Sequence, residues 1–114
     1  MRTSGIIAHI SSLPSPYGIG TLGRAAYEFI DFLSAAGQKY WQILPVGPTS
    51  FGDSPYQSYS TFAGNPYFID LEKLAEDGLL DKQELDAVDW YGHPEYVDYD
   101  RQYEHRFHFL RKAF

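Results

Sequence analysis

The chain has 114 residues, 44% of them hydrophobic and 21% charged, a composition typical of a globular protein rather than a disordered or fibrous one. Its net charge of −6 offers no basic surplus for nucleic acid or an anionic membrane, so we expect neither as a partner. The absence of cysteine excludes a disulfide scaffold, a thiolate zinc site and a cysteine nucleophile. With no apolar run long enough for a bilayer span or a signal peptide, the sequence predicts a cytoplasmic protein.

The first part of the chain is expected to fold as strand, helix and strand. Residues Gly5–Ile10 (GIIAHI) are typical of a buried strand. Arg24–Ala36 carries an apolar stripe at helical spacing, with Thr21 as the expected N-cap and Gly37 as the C-terminal stop. Lys39–Val46 is the second predicted strand. This β–α–β order predicts parallel strands and an α/β fold.

Two connections are unusually long. Ser11–Gly20 separates the first strand from its helix, and Gly47–Pro66 follows the second strand. Strand-to-helix loops are normally about 2–6 residues, and longer ones usually carry function. Both loops leave the C-terminal ends of parallel strands, where α/β folds place their sites, so we expect a site there.

Two short helices are predicted next in the chain. Asp70–Leu79 is expected to be helical up to Gly78. Asp81 and Glu84 have the spacing of a capping box. Leu80 and Leu85, on either side of Asp81, have the spacing of a hydrophobic staple. Trp90–Asp98 is predicted to be a polar, aromatic connector.

A final helix is predicted to begin near Asp98 or Asp100. Its apolar residues share one face and continue to the end of the chain: Tyr103, Phe107, Leu110 and Phe114. Nothing C-terminal remains to cover that stripe, and two parallel strands cannot bury both faces of their sheet. We therefore expect these residues to be the opening part of a longer protein.

The spacing of Gly18, Gly20 and Gly23 matches a nucleotide-binding glycine pattern ahead of a helix. The pattern does not follow the strand directly, as it does in dinucleotide-binding folds. The next strand also lacks the acidic residue that dinucleotide binding requires at its end. The glycines are better interpreted as residues that shape a tight loop and permit close backbone approach.

Histidine and serine residues offer weaker candidates. His105 and His108 lie one helical turn apart but have no third ligand at a convincing spacing, so no metal site is predicted. Ser11 and Ser12 lie near His9, without a nucleophile elbow or an orienting acid. We expect His9 to hydrogen-bond locally at the end of its strand.

The second long loop is rich in aromatic and neutral polar residues. Phe51–Leu71 (FGDSPYQSYSTFAGNPYFIDL) interleaves aromatic rings with Ser, Thr, Gln and Asn. Aromatic planes cover the C–H patches of a glucose ring, while hydroxyls and amides bind its hydroxyl groups. On composition alone, both a sugar site and self-packing of the loop remain open.

Three segments together closely resemble the start of the 4-alpha-glucanotransferases, the amylomaltase or disproportionating-enzyme family. They are GIIAHISSLPSPYGIGTLG (Gly5–Gly23), AAGQKYWQILPVGPT (Ala35–Thr49) and GDSPYQSYSTFAGNPYFIDL (Gly52–Leu71). The resemblance covers about two-thirds of the chain, up to about Leu80.

The resemblance implies the N-terminal portion of a (β/α)8 TIM barrel, with its first strand, helix and second strand and the start of a helical insertion. Residues 1–80 would be the opening barrel segment with two sugar-binding loops, and residues 81–114 an incomplete helical insertion or linker. It also implies an enzyme that transfers a segment of α-1,4-glucan from a donor maltooligosaccharide to the 4-hydroxyl of an acceptor, with retention. The alternative is a non-catalytic carbohydrate-binding module.

The resemblance also implies roles for particular residues. Tyr56 matches the family's tyrosine that stacks on the sugar, and Ser54 its hydrogen-bonding neighbour. Phe51 stands where some members have a tyrosine at a second glucan site. The catalytic carboxylates lie in later strands, so no residue of this chain is expected to be catalytic, and the chain alone is expected to be inactive. Asp53 is expected to cap the following turn, and Asn65 to shape the loop.

Sugar-to-sugar transfer needs no redox cofactor, so none is expected, and no metal is expected either. The expected partners are maltooligosaccharides, α-1,4-glucans and the rest of the protein's own barrel.

Overall fold

The computed structural model describes residues 2–49, 52–60, 62–91 and 95–114. Its strands and α-helices are β1 (Gly5–Ile7), α1 (Arg24–Ala35), β2 (Tyr40–Gln42), α2 (Leu71–Glu76), α3 (Lys82–Asp86), α4 (Tyr99–Arg101) and α5 (Phe107–Ala113). Two 3₁₀ turns lie at Ile10–Ser12 and Pro66–Phe68, and a π-helical turn, Gln102–Arg106, joins α4 to α5.

The two strands form a parallel pair joined through α1, as the sequence predicts. Gly5 lies opposite Tyr40 and Ile7 opposite Gln42. Both strands are shorter than predicted. After β1 the chain turns at Ile10–Ser12, and the side chain of Ile10 is buried in a loop cluster instead of continuing the ladder.

The start of α1 differs from the prediction that Thr21 caps it. Gly23 is the N-cap residue and makes no side-chain cap, whereas the Thr21 hydroxyl donates to Asp70 Oδ1 at 2.8 Å. The loop runs against Asp70 so closely that a Cβ on Gly23 would lie 2.5 Å from the Asp70 Cγ. Thr21 therefore ties the loop to α2 instead of capping α1.

The end of α1 is the predicted glycine stop. Gly37 has a φ of +77° and donates its N–H to the Ser34 carbonyl, while Gln38 donates to the Leu33 carbonyl. This pair of bonds is the Schellman arrangement, which satisfies helix-end carbonyls and favours glycine at the left-handed position. The chain is thereby turned directly into β2.

The two short helices have aspartate caps. Asp70 Oδ2 accepts from the Lys73 N–H at 3.1 Å, and Asp81 Oδ1 accepts from the Gln83 N–H at 2.9 Å. The capping role predicted for Asp81 is thus confirmed. Glu84, its predicted capping-box partner, forms an ion pair with Lys112 of α5.

Two apolar clusters hold these elements together. One joins α2, α3 and α5 through Tyr17, Leu71, Leu80, Leu85, Trp90 and Phe109. The predicted staple pair at 80 and 85 lies within it. The other joins the first loop to the end of the second through Ile10, Ile19, Tyr67 and Phe68.

The final helix buries a different face from the predicted one. Tyr103 is 70% exposed and Phe114 fully exposed, whereas Gln102, Arg106 and Phe109 are buried. The π-helical turn changes which residues face the core, and polar side chains occupy the buried positions. Apolar residues at helical spacing could not reveal these polar positions. The predicted stripe is wrong at Tyr103 and Phe114, whereas Phe107 and Leu110 are half-buried and pack against the apolar clusters.

The buried polar residues of that face form one network around Arg106. Its guanidinium donates to Gln102 Oε1 at 2.7 Å, the Ile69 carbonyl at 2.8 Å and the Tyr17 carbonyl at 3.3 Å. Gln102 Nε2 also donates to the Tyr17 carbonyl, at 2.8 Å, and the guanidinium lies 5.8 Å from the Trp90 ring centroid. Burial lowers the pKa of Arg106 to about 10. Because that value is still well above 7, the side chain is charged at neutral pH.

The glycines of the first loop allow close backbone packing, as the sequence interpretation holds. Gly18 has a φ of +85°, and a Cβ there would lie 2.7 Å from the Trp90 carbonyl oxygen. A Cβ on Gly20 would collide with the Ile10 carbonyl. The glycine pattern thus serves the folding of the loop.

Apolar side chains remain exposed on the small sheet. Ile7 and Tyr40 are more than half exposed, on β1 and β2 respectively.

Within the described ranges, no helix is both long and apolar enough to cross a membrane.

Replacing the buried guanidinium should destabilise the fold. Arg106→Met preserves much of the volume but leaves the Ile69 carbonyl without its donor, at an expected cost of about 2–4 kcal/mol in unfolding free energy. Urea unfolding followed by tryptophan fluorescence measures it. The matched control Arg111→Met, at an exposed position of α5, should change stability by less than about 0.5 kcal/mol. Equal effects of the two changes would contradict a structural role for the network.

Candidate functional site

A tight turn in the second long loop presents Tyr56 to solvent. Ser54 Oγ accepts from the Tyr56 N–H at 3.3 Å, and the Ser54 carbonyl accepts from the Gln57 N–H at 3.1 Å. A serine hydroxyl commonly accepts a hydrogen bond of this kind from the backbone N–H two residues later. The resulting turn leaves Tyr56 71% exposed, with its ring open to a ligand.

The residues before that turn adopt an uncommon backbone conformation. Gly52 and Asp53 both have positive φ, at +89° and +55°. Aspartate tolerates that region better than most residues. Asp53 Oδ1 accepts from the Thr49 hydroxyl at 3.2 Å, whereas Ser54 makes the side-chain bond to the turn. The predicted turn-capping role therefore belongs to Ser54 rather than Asp53.

A cleft of 390 Å³ lies beside the turn, and we call it the Tyr56 cleft. One wall comes from the chain just after β2 and the other from the second loop, and the lining is Pro45, Val46, Gly47, Pro55, Tyr56, Ser58, Ser60, Phe62, Ala63 and Gly64. The loop is closed by the Asn65 N–H, which donates to the Val46 carbonyl at 2.8 Å. The cleft therefore lies at the C-terminal end of the parallel strands, where the sequence predicts a site.

The lining of the Tyr56 cleft is neutral. Among the described residues that form it, none is charged, and its polar side-chain groups are the hydroxyls of Tyr56, Ser58 and Ser60. Exposed aromatic rings with adjacent hydroxyl groups can bind a neutral, hydroxyl-rich ring by stacking and hydrogen bonding. The cleft has binding chemistry but carries no acid for bond cleavage.

The structure places the predicted site residues as follows. Ser54 and Tyr56 lie together in the turn, linked by their hydrogen bond. Phe51 lies outside the described residues. Asn65 shapes the loop as expected, because its side chain accepts from the Tyr67 N–H at 2.9 Å and caps the 3₁₀ turn.

Two tyrosines that sequence reasoning did not single out connect this loop to the final helix. The rings of Tyr67 and Tyr99 pack 6.0 Å apart. Burial raises the pKa of Tyr67 to about 12, and the Asp53 carboxylate adds to that shift. Burial and Asp53 raise the pKa of Tyr99 in the same direction. The contact between the two rings shows that the end of the second loop packs against α4. In the sequence, the sole sign of this contact is the presence of an aromatic residue at each of the two positions.

His9 differs from the expected local hydrogen bond. Its Nδ1 is buried and has no hydrogen-bond partner among the described residues, and its ring meets Phe68 edge-on at 5.3 Å. Burial lowers the pKa of His9, which favours the neutral imidazole.

Within the described residues, His105 and His108 of the final helix are not part of a metal centre. In the described part of the chain, no group of three or more metal-ligating side chains is brought together. His105 instead packs edge-on against Trp90, at 6.0 Å between ring centroids.

Comparison with known proteins gives a consistent result. The family model described as 4-alpha-glucanotransferase matches residues 8–114. A 4-alpha-glucanotransferase of Clostridium butyricum is 59% identical over 106 residues, which is 93% of this chain and 22% of that protein. A 4-alpha-glucanotransferase of Streptococcus pneumoniae is 55% identical over 112 residues, which is 98% of this chain and 22% of that protein.

A solved structure also matches. The amylomaltase of Streptococcus agalactiae, in complex with acarbose, has a TM-score of 0.95 and 50% sequence identity to this chain. The match covers 99% of this chain and 23% of the amylomaltase. The chain thus spans between a fifth and a quarter of the length of these three relatives.

The buried imidazole predicts a pH dependence of stability. The pKa of His9 in the folded chain lies below its ordinary 6.5, so the unfolded chain binds the proton more readily. Stability should fall as pH drops from about 7 toward 5, and His9→Phe should reduce that fall. The measurement is the urea midpoint at each pH. The control His108→Gln, at an exposed position, should behave like the parent; a slope unchanged in His9→Phe would contradict the assignment.

Proposed function

Because the chain belongs to the 4-alpha-glucanotransferase family, we propose that it forms part of an enzyme that transfers segments of α-1,4-glucan between maltooligosaccharides. Its contribution is one side of a sugar-binding site, the Tyr56 cleft. The catalytic carboxylates belong to polypeptide outside these 114 residues, and we assign no catalytic residue within them.

The exposed ring of Tyr56 beside an uncharged cleft is the observation that carries this proposal. A maltooligosaccharide is neutral and presents C–H patches alternating with hydroxyl groups. A tyrosine face covers such a patch, and the hydroxyls of Ser58 and Ser60 in the same lining suit the sugar's hydroxyl groups. The related amylomaltase of Streptococcus agalactiae was solved in complex with acarbose, which is consistent with a saccharide ligand for this chain.

We propose that β1, α1 and β2 are the first units of a (β/α)8 barrel. A parallel strand pair joined through a helix is the repeating unit of that fold, and its sites lie at the C-terminal ends of the strands. The apolar side chains that β1 and β2 leave exposed would be covered by further strands and helices of the barrel. Residues 1–80 would then be barrel and residues 81–114 helical insertion.

The proposed reaction is a retaining transfer. A carboxylate attacks C1 of the donor glucosyl unit as the bond from C1 to the leaving 4-oxygen breaks, and a carboxylic acid about 5–5.5 Å away protonates that oxygen. The 4-hydroxyl of the acceptor then attacks C1 of the covalent glucosyl-enzyme, the ester bond from C1 to the first carboxylate breaks, and the hydroxyl proton passes to the second carboxylate. One α-1,4 bond is broken and one is formed.

The chain's own residues would position the sugar during both steps. Tyr56 would stack on a glucosyl ring beside the cleavage point, and Ser54 would hydrogen-bond to it while fixing the turn through its bond to the Tyr56 N–H. We propose that Phe51 makes a further contact with the glucan, through its ring alone. A ring held in place before reaction lowers the entropic cost of reaching the transition state.

A chimera tests this function directly. In the Clostridium butyricum 4-alpha-glucanotransferase, the aligned part of this chain replaces its counterpart over the 106 aligned residues, and maltotriose disproportionation is assayed. Tyr56→Ala should lower kcat/KM about 30-fold, because a stacked ring contributes about 2 kcal/mol. The matched control Tyr56→Phe keeps the ring and should remain within about 3-fold of the parent.

Equal kcat/KM for the parent chimera and Tyr56→Ala would remove the stacking role. A folded chimera that binds maltotriose without transferring glucose would favour a non-catalytic carbohydrate-binding module instead.

A further inference from the structure

Asp53 has a backbone conformation that residues other than glycine adopt rarely. Among the described residues it is the one non-glycine residue with a positive φ, at +55°, and it follows Gly52, whose φ is +89°. In the left-handed region the Cβ atom of an L-residue crowds a carbonyl oxygen, so the conformation costs free energy. Strain of this kind persists where the surrounding structure holds it, and it is concentrated at ligand-binding and catalytic sites. Its position immediately before the Ser54 turn therefore points to a function.

The carboxylate of Asp53 ties the turn to the chain that follows β2. Its Oδ1 accepts from the hydroxyl of Thr49 at 3.2 Å, and Thr49 lies in the segment between β2 and the turn. The bonds that Ser54 makes to Tyr56 and Gln57 are local and shape the turn itself. The bond to Thr49 instead fixes the turn with respect to the segment that leaves β2.

The Asp53 side chain is directed to the base of the loop. It is half-buried, and it is not among the described residues that line the Tyr56 cleft. Burial is the main cause of the raised pKa of both Tyr67 and Tyr99, and the Asp53 charge adds to each shift. Those two rings pack against each other where the second loop meets α4. The carboxylate therefore acts on the support of the cleft rather than on its lining.

The orientation of Tyr56 depends on the backbone that leads into the turn. Its ring is largely exposed, so packing against neighbouring side chains contributes little to its direction. The chain enters the turn through Gly52 and Asp53, and a change of φ at either residue would turn the Tyr56 ring away from its present direction. A displacement of about 1 Å in a positioned group can lower a reaction rate by about 100-fold.

We propose that Asp53 is a positioning residue for the transfer reaction: its left-handed backbone and its hydrogen bond with Thr49 aim the ring of Tyr56 at the glucosyl unit. Asp53 acts through Tyr56 and makes no contact with the sugar itself. The inference rests on the proposed function, because it takes stacking of Tyr56 on a glucosyl ring as the contact that Asp53 prepares.

A double-mutant cycle in the chimeric enzyme tests the inference, with maltotriose disproportionation as the assay. Asp53→Ala removes the acceptor of the Thr49 bond and introduces a residue that tolerates a positive φ poorly, so kcat/KM should fall about 10-fold. In a Tyr56→Ala background, the same change should lower kcat/KM less than about 2-fold, because the ring that Asp53 positions is gone. A general loss of folded enzyme would instead lower kcat/KM equally in both backgrounds.

Three further variants separate positioning from other effects. Asp53→Asn keeps an acceptor oxygen and a residue type that tolerates the left-handed region, so kcat/KM should stay within about 2-fold of the parent. Thr49→Val removes the donor at the other end of the bond and should lower kcat/KM about 3- to 5-fold in the enzyme that retains Tyr56. The matched control Asp31→Ala removes an exposed carboxylate from α1 and should change kcat/KM in neither background.

The two proposals fail differently in this experiment. Equal losses on Asp53→Ala in both backgrounds, or no loss in either while Tyr56→Ala still costs about 30-fold, would overturn the role of Asp53 and leave the proposed function intact. A loss in Asp53→Asn as large as that in Asp53→Ala would also overturn it, because asparagine keeps both features that the inference uses. If Tyr56→Ala has no effect, the stacking role fails and the inference fails with it.

Discussion

The buried guanidinium of Arg106 is the interaction on which the arrangement of this chain depends. Its hydrogens go to an amide oxygen on its own helix and to backbone carbonyls of Tyr17 and Ile69, which lie 52 residues apart in the chain. A buried charge is costly unless hydrogen bonds compensate it, and these oxygens supply that compensation by converging on the guanidinium. The first long loop, the end of the second loop and the final helix are thereby held at one point.

That convergence explains how two long loops can be ordered despite their length. The chain around Tyr17 and Gly18 is fixed to the helix, and the segment after Asn65 packs beneath it through Tyr67 and Phe68. The outer part of the second loop, with Tyr56, Tyr59 and Phe62, presents exposed rings. The structure thus separates a buried polar network that orders the backbone from surface aromatics available to a ligand.

The sequence predicted the features that depend on local chemistry. The parallel strand pair, the glycine stop at Gly37 and the cap at Asp81 each follow from a few neighbouring residues. It did not predict the buried face of the last helix, because Gln102 and Arg106 are polar and are buried through contacts distant in sequence. Ser54 and Tyr56 were found as a pair through a resemblance, and the turn that joins them gives a physical reason for their adjacency.

A crystal structure of the chimeric enzyme with a bound maltooligosaccharide would show whether Tyr56 contacts the sugar. We expect a glucosyl ring lying over the Tyr56 ring, with carbon atoms within about 4–4.5 Å, the separation of side chains in contact. A maltooligosaccharide bound in the active site with Tyr56 still exposed to solvent would contradict it.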